Sequence, residues 1–163
     1  MAKASLVLSK AKQFVDEGYV ESGDNLTIMG KWYGLNGQPW CAMFVSYCFY
    51  LAGALPLIKV TGKKGFASCN AGLAAFAKAG MLVPVGKAKA GDIVFFNFDA
   101  DVHTAEHVGF VYSNDGKNLI TFEGNTSPEK LKNGSQANGG GVYKRKRPYS
   151  LIMAVARPKY EVE

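Results

Sequence analysis

Past Gly91 the spacing of apolar residues changes from helical to alternating, and this change constrains the fold more than any other feature of the chain. Residues 92–98 (DIVFFNF), 107–112 (HVGFVY), 119–123 (LITFE), 141–146 and 151–156 are short β-branched or aromatic runs with turn residues between them, the pattern of strands. Asn114-Asp115-Gly116 joins the second and third runs as an antiparallel hairpin. Before the change, residues 2–17 carry a partial 3.6-residue period (Leu6, Ala11, Phe14, Val15) that Gly18 stops. A second helix is expected from near Pro39 to about Ala52. A third is marked by Ser68 or Asn70 as N-cap, by Leu73, Phe76 and Ala77 on one face, and by Gly80 beyond its end. Residues 21–38, with four glycines beside Trp32 and Tyr33, read as a packed loop, and residues 128–141 as the longest loop. Helices followed by antiparallel strands describe an α+β domain in which helices pack on one sheet.

Hydrophobic residues make up 48% of the 163, enough for one sizeable core, and neither a repeat nor a linker divides the chain, so a single domain over residues 1–163 is expected. Nowhere do about eighteen apolar residues follow one another, and the N-terminal residues lack the apolar core of an export signal. Synthesis in the cytoplasm without a Sec signal, and no membrane insertion, are the expectations. The three cysteines, Cys41, Cys48 and Cys69, are odd in number and have no C-x-x-C spacing, which argues against a disulfide framework and a cysteine-rich zinc site. A net charge of +6 favours a polyanionic partner: nucleic acid, an anionic membrane or the polymers of a bacterial wall. The dense basic run at 144–147 (KRKR) lies in strand-like sequence and reads as a solvated edge strand guarded by charge. With no nucleic-acid motif beside it, nucleic acid ranks last as a partner.

The stretch Gly37 to Gly53, GQPWCAMFVSYCFYLAG, sets a cysteine behind Pro-Trp at the start of an apolar helix. Proline suits the first helical position, which would put Cys41 in the first turn, where unpaired N–H groups and the helix dipole stabilise a thiolate. Cys48, two turns along the apolar helix, and Cys69, beside a cap, read as structural thiols. A cysteine nucleophile needs a base oriented by a third group. Of the two histidines, His107 opens a strand and His103 lies in a polar loop, so His107 is the better base. Across the hairpin, cross-strand pairing brings Glu123 or the Asn125 amide toward the ring, with Glu123 as orienting residue and Asn125 as a second polar member. Trp40 and Gln38 are candidate substrate contacts.

The blocks NGQPWCAMFVSYCFYLAG, AGDIVFFNF, AEHVGFV, FEGNTS and GGGVYKRKRPY resemble, in order, those of the CHAP family, the cysteine, histidine-dependent amidohydrolases and peptidases of phage lysins and bacterial wall enzymes. The resemblance runs from about residue 30 to 158. It implies a papain-like fold with the cysteine at a helix N-terminus, and it places the family's nucleophile on Cys41, its base on His107, its acidic member on Glu123 and its asparagine on Asn125. The Cys41 N–H and, more loosely, Gln38 are its implied oxyanion donors. The activity implied is cleavage of an amide in peptidoglycan, of a Gram-positive wall, by a holin-released or virion-borne lysin whose wall-binding part is either absent or in a separate domain or chain. The alternative is a wall-binding or phage structural module of the same fold without turnover. Certain phage members carry an Asp-rich calcium loop shortly before the cysteine; here only Asp24 and Asn25 stand far upstream, so no metal or other cofactor is expected.

Overall fold

The computed structural model describes residues 2–99, 103–131 and 134–163; parts of the loop before His103 and of the 128–141 loop therefore lie outside the described residues. The first half is helical: α1 (Ala4–Asp16), α2 (Ile28–Tyr33), α3 (Cys41–Leu51) and α4 (Cys69–Lys78). The strands are β1 (Leu82–Val83), β2 (Ile93–Phe96), β3 (His107–Asn114), β4 (Asn118–Thr126), β5 (Gly141–Pro148) and β6 (Ile152–Ala156). They form one antiparallel sheet in the order β1-β6-β2-β3-β4-β5. This is the α+β arrangement that the change of period implies and the papain-like fold that the family resemblance implies.

Two elements escape the periodicity. α2 is six residues long, too short for a 3.6-residue pattern, and is fixed instead by Thr27, whose hydroxyl accepts the Gly30 N–H at 2.9 Å. β1 has two residues, paired with Ala156 and Val155. α4 starts where its cap signal lies, with the Ser68 hydroxyl accepting the Ala71 N–H.

α3 is apolar all round and is buried accordingly: Ala42, Phe44, Val45, Cys48 and Phe49 are inaccessible to solvent. It lies between α1 and the sheet, with Phe44 edge-on to Phe14 and Phe110, and Phe49 stacked on Phe110. Gly124 of β4 permits this approach, because a Cβ there would lie 2.6 Å from Phe44 Cβ. A second apolar cluster, with Val94, Phe96, Val111, Leu119 and Val155, covers the opposite face of the sheet. β4 carries one extra residue against β5 between Glu123 and Thr126, and Asn125, with φ of 57°, sits in this bulge. Such a bulge re-aims the side chains on either side of it.

Candidate active site

Cys41 is the first residue of α3, with Trp40 as N-cap and Pro39 one residue before the cap. The proline therefore stands two positions earlier than the sequence reading places it; Trp40 leaves helical geometry (φ −120°, ψ 15°), and its carbonyl accepts the Phe44 N–H at 2.8 Å. The consequence for Cys41 is a fuller exposure to the free N–H groups of the first turn. Its side chain is nearly buried, 5% exposed. The Cys69 thiol, itself at the first position of α4, lies 3.6 Å from Cys41 Sγ. Donation from Cys69, attraction to His107 and the Ala42 N–H together hold the Cys41 pKa well below that of an ordinary thiol, against the opposing effect of burial. Donation to Cys41 and burial push Cys69 the other way, so Cys69 carries the shared proton.

His107 is the first residue of β3 and is wholly buried. Its Nε2 donates to Glu123 Oε1 at 2.9 Å, and among the described residues no hydrogen bond reaches Nδ1. That pairing leaves Nδ1 as the ring nitrogen that no carboxylate engages. Burial alone would lower the pKa of the ring; the Cys41 thiolate and Glu123 overcome it and raise the pKa to about 9. His103, by contrast, is exposed in the preceding loop.

Glu123 is held in turn by Arg147, which sequence reasoning placed on a solvated strand. β5 is indeed the sheet edge, and Lys144 and Lys146 are exposed on it, but alternation turns Arg147 inward to 1% exposure. Arg147 Nε donates to Glu123 Oε2 at 2.8 Å and Nη2 to Oε1, while the Thr121 hydroxyl donates to Oε2. Burial would raise the Glu123 pKa, but Arg147 and His107 bring it down to about 2. The guanidinium also lies over the rings of Phe98 (4.8 Å) and Phe96 (5.2 Å), and both rings lie against His107. His107, Glu123 and Arg147 thus form one continuous hydrogen-bonded chain walled by two phenylalanines, with Cys41 electrostatically tied to its His107 end. The clue in the sequence is the two-residue alternation of β5 opposite a buried carboxylate.

Asn125 serves a purpose other than the one expected. Its amide donates to Asn138 Oδ1 at 3.0 Å and accepts the Gly140 N–H at 3.1 Å, so the left-handed residue in the bulge holds the loop before β5 and does not orient the ring. Trp40 is also displaced from its expected role as a substrate contact: its indole is inaccessible to solvent, and Nε1 donates to Glu21 Oε2 at 3.0 Å. An amphipathic ring at a helix cap is stabilised by burying its body and pairing its N–H. Glu21, which the sequence does not single out, accepts the Asn25 N–H as well and pairs its own N–H with the Gly140 carbonyl, tying the start of α3 to the loop that Asn125 holds. Gln38 is exposed three residues before Cys41. Asp24 is exposed and Asn25 half-buried, and among the described residues no three His, Cys, Asp or Glu side chains converge as metal ligands. No described helix is long and apolar enough to cross a membrane.

The chain has the fold of solved endolysins. It aligns with endolysin LysIME-EF1 at 16% identity and a TM-score of 0.58, over 99% of this chain and 67% of that one. It aligns with Ly7917 at 15% identity and a TM-score of 0.54, over 96% and 62%, and with Ly7917 bearing the hydrolysing product of MDP at 17% and 0.53, over 96% and 63%. The chain therefore spans about two thirds of the length of these proteins or slightly less. No curated protein sequence matches it. The family model described as "CHAP domain" matches residues 32–125, more than half of the chain, from α2 through the helix start at Cys41 to the strands bearing His107 and Glu123, and the chain belongs to the CHAP family.

Proposed function

We propose that the protein hydrolyses an amide bond of bacterial peptidoglycan through a Cys41 thiolate. One observation carries the reading: a cysteine whose pKa is lowered at a helix N-terminus lies next to a histidine whose far nitrogen is held by a buried, arginine-paired carboxylate. The Cys41 thiolate attacks the carbonyl carbon, and the carbonyl oxygen takes the charge beside the Cys41 and Ala42 N–H groups, each such donor contributing about 2.7–4 kcal/mol to the transition state. His107 then gives its proton to the leaving amine and later takes one from the water that releases the acyl group. Glu123 stabilises the imidazolium throughout. Membership of the CHAP family and the endolysin fold support peptidoglycan as the substrate, and Ly7917 was solved with a hydrolysis product of MDP.

The bond is either that between the lactyl group and L-alanine or one within the stem peptide or cross-bridge, and the setting is a phage lysin acting on a Gram-positive wall. A net charge of +6 suits accumulation on that anionic mesh, so wall binding should weaken as salt rises. Mass spectrometry of fragments released from purified Gram-positive peptidoglycan by wild type and Cys41→Ala tests the reading. Free stem peptides with an L-alanine N-terminus, from wild type alone, mean an amidase, and opened cross-bridges mean an endopeptidase. Equal release by Cys41→Ala would overturn it.

A further inference from the structure

The hydrolytic cycle uses one thiol, yet a second lies against it. We propose that Cys69 is the resolving thiol of a modification site at the nucleophile: oxidation of Cys41 by a peroxide closes a reversible Cys41–Cys69 disulfide that silences the enzyme.

The geometry favours this pair alone among the three cysteines. Cys41 Sγ and Cys69 Sγ are 3.6 Å apart, and each residue opens its helix, α3 and α4 respectively. A disulfide is about 2.05 Å long, so the sulfurs have roughly 1.5 Å to travel, within reach of small side-chain rotations at two helix starts. Cys69 is partly exposed and Cys41 slightly so, whereas Cys48 is inaccessible to solvent and burial keeps it a neutral thiol. Susceptibility to peroxide follows thiolate character and access, which singles out Cys41.

The steps balance. The Cys41 thiolate attacks one peroxide oxygen, the O–O bond breaks, and with one proton the products are Cys41 sulfenic acid and water. Cys69 Sγ then attacks Cys41 Sγ, the S–O bond breaks, and the hydroxyl leaves as a second water with the Cys69 proton. Two thiols have lost two electrons and hydrogen peroxide has gained them. A dithiol such as dithiothreitol reverses the change by thiol–disulfide exchange. Without Cys69 the sulfenic acid has no neighbouring thiol to condense with and goes on to sulfinic acid, which dithiothreitol does not reduce.

The inference rests on the reading of Cys41 as a thiolate nucleophile but not on turnover. The test is to expose the full chain to hydrogen peroxide, alkylate it with iodoacetamide in denaturant and digest it with trypsin without reduction. The expected product joins residues 32–59 to 65–78, lighter by two hydrogen atoms than the sum of the two peptides, with one cysteine left to alkylate in place of three. Cys48 shares the first peptide, so the same link in Cys48→Ala assigns it to Cys41. In parallel, wall-hydrolysing activity should be lost on oxidation and regained with dithiothreitol in wild type, and lost without recovery in Cys69→Ser. Three alkylated cysteines and no linked peptide after peroxide, a link through Cys48, or full recovery of Cys69→Ser would each overturn the proposal. The linked peptide in a chain that releases nothing from any wall would overturn the hydrolase reading and the silencing of turnover with it, and would leave the peroxide-closed Cys41–Cys69 link standing.

Discussion

Arg147 grips Glu123 through two parallel hydrogen bonds, Nε to Oε2 at 2.8 Å and Nη2 to Oε1, with both side chains out of contact with solvent. Removing one partner of such a pair leaves a buried charge uncompensated, a loss on the order of 3–5 kcal/mol. Arg147→Ala should lose about that much in denaturant unfolding and most of its activity with it. Arg147→Lys keeps the charge but not the planar fork. It should therefore fold better than the alanine variant while its kcat stays low. A wild-type kcat in Arg147→Ala would remove Arg147 from the site.

Glu123 also governs the acid limb of stability. Its pKa is about 2 in the folded chain against 4.5 for a free carboxyl, so its contribution is complete above 4.5 and is lost as the pH falls through about 2. Glu123→Gln is less stable at neutral pH and should show a shallower decline below pH 4.5. Its kcat should drop by about 10²–10⁴-fold, the range of general acid–base assistance. Parallel unfolding curves for the two proteins between pH 5 and about 2 would contradict this.

The paired ionisation of Cys41 and His107 sets the alkaline limit. Cys41 is a thiolate well below the usual thiol range, and His107 holds its proton to about 9, so the ion pair persists across neutral pH. Alkylation of Cys41 by iodoacetamide should already be fast near pH 6, and kcat should fall as pH rises through about 9 while alkylation continues. The stability that the raised His107 pKa contributes is complete below 6.5 and is lost over the same rise. An alkylation rate that climbs only toward pH 9 would mean an ordinary thiol.

Gly109 provides the space that Glu123 occupies. A Cβ at this position would lie 2.7 Å from Glu123 Cγ and 2.9 Å from the Phe122 carbonyl oxygen. The second contact is backbone and cannot swing aside. Gly109→Ala should cost about 1–3 kcal/mol through overpacking and lower kcat more than it raises KM, because the displaced carboxylate no longer reaches His107. An unchanged kcat would show that the strand absorbs the methyl group.

The meeting of Cys41, His107 and Glu123 was legible because the combinations are few: the chain has two histidines and one cysteine set behind Pro-Trp at the start of an apolar helix. The architecture followed from the change of period. Arg147 was hidden, since a KRKR run looks uniformly solvated until the opposite strand is known to carry a buried acid. Trp40 and Glu21 are nineteen residues apart and meet through the path of a loop, which no local pattern encodes. Asn125 was read as a strand residue facing the ring; the bulge that redirects it comes from a mismatch between β4 and β5 that appears only when the strands are aligned. Cys69 looked structural for a similar reason, because its neighbour is set by how two helix starts meet.

The arginine clamp on Glu123 reduces the number of protons that can wander. Glu123 stays an anion at every pH well above about 2, and the thiol of Cys48 is sealed away as a neutral group. Beside the proton that Cys69 keeps, the one left to travel in the site is that at His107, able to go to a departing amine and to return from water. A carboxylate that takes no proton near neutral pH thus makes the passage of that proton unambiguous.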